Sequence, residues 1–151
     1  MSRVVRWLAL VAAAGTLAGC TRIVGPVRTA EDYELKAAST ADAVLSGVRT
    51  AELVVDAADR GRAFASYVAV ALDDAEGDAS GAAATFASLQ PPGPSSDQLR
   101  DELDALTSEA TDALATLRIT ARRGDLDQLA AQAEPLADIA DRLAAFSEQH
   151  G

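Results

Sequence analysis

The chain has 151 residues, of which 49% are hydrophobic and only 4% aromatic, so any core must be built mainly from small and aliphatic side chains. Its 23 acidic and 13 basic residues give a formal net charge of −10, which repels nucleic acid and anionic lipid headgroups and argues against both as partners. A single histidine, His150, and a single cysteine, Cys20, cannot supply the three or four ligands of a zinc site or a metal hydrolase.

In chain order, Arg3 and Arg6 form a short basic start, and Trp7 to Thr16 form an apolar run of the length of a secretory signal's central region. The run is broken by Gly15, Thr16 and Gly19 and gives way to Thr21-Arg22, short of the roughly 20 apolar residues that a transmembrane helix needs. It ends at Leu17-Ala18-Gly19-Cys20: a branched apolar residue, two small residues and a cysteine. An ordinary signal closes on an A-x-A-like site, and the comparable stretch here, Ala12-Ala13-Ala14, lies inside the apolar run.

These four residues resemble the lipobox of bacterial lipoproteins. The resemblance implies a diacylglyceryl thioether on Cys20, cleavage after Gly19 and a mature chain of 132 of the 151 residues. It also accounts for a lone cysteine that has no disulfide partner in an oxidising compartment. Two acyl chains anchor stably, because each buried methylene contributes about 0.8 kcal/mol. The expected location is the extracytoplasmic face of the cell membrane, and losing Arg3 and Arg6 takes the formal charge from −10 to −12.

Residues 1–19 therefore read as signal, 20–28 as lipidated cysteine and tether, and 29–150 as one domain. The tether carries Gly25-Pro26 and no helical or strand period. Four helices are predicted, at about 29–60, 62–90, 95–123 and 125–149. The first opens with Thr29 three residues before Asp32, the spacing of a capped helical turn. Its apolar stripe is Ala37, Ala41, Val44, Val48, Ala51, Val55 and Ala58, and Arg60-Gly61 ends it.

The second helix carries Val68, Leu72, Ala75, Ala79, Ala82, Phe86 and Leu89 until Pro91-Pro92 forbids continuation, with Arg62 to Ser66 as either its first turn or an irregular one. Gly77 and Gly81 lie inside it at a cost of about 1 kcal/mol each relative to alanine, which close approach to the first helix would offset. The third, capped by Ser95 with Gln98, carries Leu99, Leu103, Leu106, Ala110, Ala113 and Leu117 and ends at Arg122-Arg123-Gly124. The fourth, opened by Asp125 with Gln128, carries Leu126, Leu129, Ala133, Leu136, Ile139, Ala140, Leu143 and Phe146, with a kink expected before Pro135.

Four single-stripe helices joined by short turns predict an all-α, antiparallel up-down-up-down four-helix bundle of two hairpins. Arg-Gly closes both hairpins, which hints at an internal duplication. The alternative is a more open pair of hairpins that completes its core against a partner chain.

No base stands ready to activate a nucleophile, and no phosphate-cradling glycine loop opens a helix after a strand. Asp73, Asp74, Glu76 and Asp78 are near-consecutive helical residues, so they point around the axis as a solvated face does, without converging on calcium. No cofactor is expected, and the reading is a non-catalytic interaction or structural module of the cell envelope. A small-ligand or lipid binder is the alternative, with a cavity around Ala75, Gly77, Ala79 and Gly81. Up-down topology gathers Arg60, Arg62, Arg118, Arg122 and Arg123 at the end far from the membrane, with Leu53, Val70 and Ile119 outside the stripes. That end is the candidate for docking an acidic envelope protein or wall polymer; the plainer role of its arginines is to complement helix carbonyl ends.

Overall fold

A computed structural model describes residues 29–151, and the signal, Gly19, Cys20 and the tether lie outside the described residues. The fold is all-α. Helix α1 spans Ala30–Asp59, α2 Ala65–Ala87 and α3 Pro94–Arg123. A 3-10 turn at Leu126–Gln128 leads to the short helix α4, Leu129–Gln132, and then to α5, Leu136–His150. Among the described residues no helix is long and apolar enough to cross a membrane.

Helix α1 packs against α2, α3 and α5, and α3 packs against α2 and α5. These are the contacts that an up-down-up-down bundle requires, with α1 and α3 meeting across its short diagonal. One hydrophobic cluster runs through all of them, from Tyr33 and Phe86 at one end to Val55, Ala121 and Leu129 at the other.

Local chemistry sets the helix ends. The Thr29 hydroxyl accepts a hydrogen bond from the Asp32 amide at 3.0 Å, satisfying one free donor of the first turn of α1. Among the described residues, Gly61 and Gly124 are those with positive φ, at 65° and 84°. Each donates to the carbonyl three residues back, Ala58 at 2.9 Å and Ala121 at 3.0 Å. The next amides, of Arg62 and Asp125, reach five residues back to Ala57 and Thr120. Both hairpins thus close with the same left-handed glycine motif, which a side chain bearing Cβ would strain.

Several boundaries differ from the sequence reading. Arg62 to Phe64 form an irregular link, and α2 begins at Ala65. Helix α3 begins at Pro94, whose fixed φ suits a first helical position, with Gly93 as N-cap and no side-chain cap from Ser95. Asp125 makes no side-chain cap either. The fourth predicted helix is broken where only a kink was expected, because Ala133 to Pro135 form a turn between α4 and α5. Pro135 has no amide to donate, so the ladder restarts with Ile139 donating to its carbonyl at 3.1 Å.

The close approach of α1 and α2 uses a glycine other than the two expected. A Cβ on Gly47 would stand 2.9 Å from the Ala75 carbonyl oxygen and 3.4 Å from the Ala79 Cβ. Gly77 and Gly81 are exposed, with nothing within 4 Å of an added Cβ. Ala75 and Ala79 are buried in the α1 contact, so the expected cavity around Ala75, Gly77, Ala79 and Gly81 is absent from that position.

Candidate functional site

The two glycine turns and the 3-10 turn form one end of the bundle, since Leu126–Gln128 touches the neighbouring parts of α1 and α3. The five arginines of the sequence reading are placed here in different ways. Arg60 pairs with Asp56 of its own helix at 2.6 Å. Arg118 donates to Glu76 and lies 3.9 Å from Asp73, and Arg122 donates to Asp73 at 3.0 Å. Asp73 and Glu76 therefore stitch α2 to α3, where the sequence suggested only a solvated face. Arg62 and Arg123 are exposed and make no ion pair among the described residues.

The same end carries five of the six large exposed apolar side chains among the described residues; the sixth, Leu35, is near the start of α1. Leu53 is 71% exposed and Ile119 41%, while Phe64, Tyr67 and Val70 at the start of α2 are 86%, 59% and 60% exposed. Leu53, Val70 and Ile119 were flagged by falling outside the stripes. Phe64 and Tyr67 were missed, although they are two of the five aromatics that follow Cys20: Tyr67 falls off the stripe through Val68 and Leu72, and Phe64, although four residues before Val68, precedes the helix.

The opposite end and one side hold a groove. Between α3 and α5 lies an open volume of about 330 Å³, lined by Leu106, Phe146, Ala105, Ala145, Glu102 and Arg142. Arg142 is held at its edge by Glu109 at 2.8 Å and Asp138 at 3.4 Å, and the hydrogen bond to Glu109 raises its pKa above the ordinary guanidinium value. A smaller hollow of about 210 Å³ continues from it past Glu102 and Gln149 to Glu34, Ser95 and His150. The His150 ring packs against Phe146 tilted by 45°, with centroids 4.6 Å apart, and its Nε2 is buried without a hydrogen-bond partner among the described residues.

At this end Arg100 donates to the carbonyls of Leu89, at 3.2 Å, and Ala87, completing the exposed end of α2. Tyr33 is fully buried against Phe86, ring centroids 4.9 Å apart, with its hydroxyl unpartnered among the described residues. Burial pushes its pKa up; the nearby Arg100 charge opposes the shift, and Asp104 and Asp97 add to it.

Among the described residues no three or more His, Cys, Asp or Glu side chains are gathered to hold a metal ion. Cys20, the proposed lipidation residue, lies outside them. The chain matches no family model, and no curated protein or solved structure matches it either.

Proposed function

We propose that this protein is a lipoprotein of the cell envelope, held at the extracytoplasmic face of the membrane by lipid on Cys20, and that it works by non-catalytic contact with a partner. The lipobox-type Leu17-Ala18-Gly19-Cys20 supports the anchor. Replacing Cys20 with Ser tests it: lipid labelling and cleavage after Gly19 should both disappear, and normal cleavage with unchanged membrane retention would refute the anchor.

The observation that carries the contact role is the distribution of unpaired charge. Arg62 and Arg123 lie at the end remote from residue 29, on a chain that is otherwise strongly acidic, with Leu53 and Ile119 exposed nearby. A 30-residue helix carries that end about 45 Å from the tether at 1.5 Å per residue, within reach of other envelope components. Cations set the encounter with an acidic protein or wall polymer, and exposed apolar groups add affinity. Arg123→Glu should leave melting unchanged and weaken in-cell crosslinks to the partner, more at low salt than at moderate salt. An identical crosslink pattern would leave Arg123 with only its place at the carbonyl end of α3.

The groove between α3 and α5 supports the second reading, a small-ligand binder. Its volume of about 330 Å³ is at the lower end of ligand pockets. Melting of the chain across a panel of lipids and small metabolites tests it, and no shift with any of them would remove it.

A further inference from the structure

We propose that the outer face of α2 pairs with the same face of a second copy of this chain, antiparallel and related by a two-fold axis near Val70. This goes beyond the membrane-anchored contact role and does not depend on it: antiparallel pairing points the two residue-29 ends away from each other, so two copies anchored in one membrane would lie along it instead of standing upright. Helix α2 packs on α1 and α3 but does not pack on α5, so one of its sides has no neighbour within the bundle. On that side Tyr67, Val70, Asp74, Gly77 and Gly81 recur at steps of three and four, all of them exposed, with Phe64 at the helix entry. The steps are those of a helix-packing seam.

Two properties of the seam specify its occupant. The first is size. Bulky Phe64, Tyr67 and Val70 fill one half, and Gly77 and Gly81, open outward with nothing within 4 Å, fill the other. An antiparallel copy places Phe64 over Gly77 of the second copy and Tyr67 beside its Asp74. Gly77, which weakens the isolated helix by about 1 kcal/mol, then provides the space that the Phe64 ring occupies.

The second property is charge. Arg62 stands at the bulky end, Asp74 and Asp78 at the small end, and none of the three makes an ion pair among the described residues. The same reversal that seats Phe64 on Gly77 brings Arg62 to Asp78 of the other copy, and lets the Tyr67 hydroxyl donate to Asp74. A two-fold axis near Val70 also keeps Asp74 from facing its own copy. A surface that is large and basic at one end, small and acidic at the other, is self-complementary under a two-fold rotation, which is the requirement for an isologous dimer. Repulsion between the net charges of the two copies is damped beyond the screening length, about 8 Å at physiological ionic strength, so the local Arg62–Asp78 pairing outweighs most of it.

The test uses the full chain, purified in detergent from whichever fraction holds it. Val70→Cys brings two thiols together at the axis, and mild oxidation should give a species of twice the chain mass. Its yield should be about tenfold above that of Ser108→Cys, an exposed control on α3, as effective concentration at a specific contact requires. Wild type reports any background from Cys20. In the Val70→Cys chain, Arg62→Glu and Asp78→Arg should each reduce the dimer, and the two together should restore it, with helicity equal throughout by circular dichroism. Restoration by reversal within a single chain is specific to self-association. Equal crosslinking at Val70 and Ser108, a product of another mass, or failure of the double reversal to restore the dimer would each overturn the proposal.

Discussion

The two hairpins close with the same glycine motif yet build their halves of the core from different materials. In the first, α1 and α2 bury alanine and valine around Gly47 and come so close that a single added carbon would meet the Ala75 carbonyl. In the second, α3, α4 and α5 bury leucines, Ile139 and Phe146, break at Pro135, and leave an open groove along one side. Small side chains let backbones approach; large ones bury more area per residue but hold the helices apart. Ion pairs follow the same division. Arg142 to Glu109 spans α3 and α5, Arg49 to Asp141 spans α1 and α5, and Arg118 and Arg122 span α2 and α3. The close α1 and α2 seam has none of these bridges among the described residues.

The largest test of this contrast lies within α3. Leu114 is fully buried, whereas Leu106, buried at 7% exposure, borders the groove that Arg142 also lines. Leu114→Asp leaves a carboxylate in the core without a partner, a defect of about 3–5 kcal/mol, and should unfold a chain of ordinary stability. Leu106→Asp also buries a carboxylate, but at the edge of the groove that Arg142 lines, so it should cost the leucine's packing, about 2–3 kcal/mol, plus only part of the full charge-burial penalty, and destabilise less than Leu114→Asp. Melting by circular dichroism separates the two, and equal losses would mean that the groove is closed in solution.

The next test sets two glycines against each other. Gly47→Ala forces a carbon against backbone and should destabilise by about 1–3 kcal/mol, despite alanine's better helix propensity. Gly81→Ala meets open space and should stabilise by up to about 1 kcal/mol. Opposite shifts in melting temperature are expected, and a gain at both positions would show that α1 and α2 can separate without loss.

These glycines also mark how far the sequence could be read. The stripes of α1 and α2, the Thr29 cap, both closing glycines and the Pro91-Pro92 stop follow from local chemistry, and local chemistry is written in neighbouring residues. Which glycine meets which helix depends on rotation about the axis, and the apolar period does not fix that angle within one residue. The same drift explains Leu114. Between Ala110 and Leu117 a seven-residue step is filled equally well by position 113 or 114, and the heptad placed Ala113 on the stripe where the structure buries Leu114. Side-chain size would have decided it. The sequence reading offers Arg118 and Arg122 as docking cations or carbonyl-end complements and not as α2–α3 ion pairs, because their partners Asp73 and Glu76 lie more than 40 residues away and only packing brings them together.

The smallest effect concerns the end where both hairpins meet. Tyr33 and Phe86 stack across α1 and α2, filling with two rings the space that alanines fill elsewhere in that hairpin. Its hydroxyl gains nothing from this position, being buried without a partner among the described residues, and such an orphan costs about 1–3 kcal/mol. Tyr33→Phe keeps the ring and removes the orphan, so melting temperature should rise by an amount equivalent to about 1 kcal/mol. A pH series gives the signature that a simple packing change lacks. Burial raises the phenol's pKa above its ordinary 10.0, so the folded state holds the proton more tightly than the unfolded chain. The stability this linkage contributes is complete below about pH 10 and falls as pH rises through the folded value. Removing the hydroxyl removes that term, so the variant's advantage over wild type should widen above pH 10. A lower melting temperature for Tyr33→Phe at neutral pH would mean that the hydroxyl has a partner after all, and that this end of the first hairpin is held by a polar contact as well as by close packing.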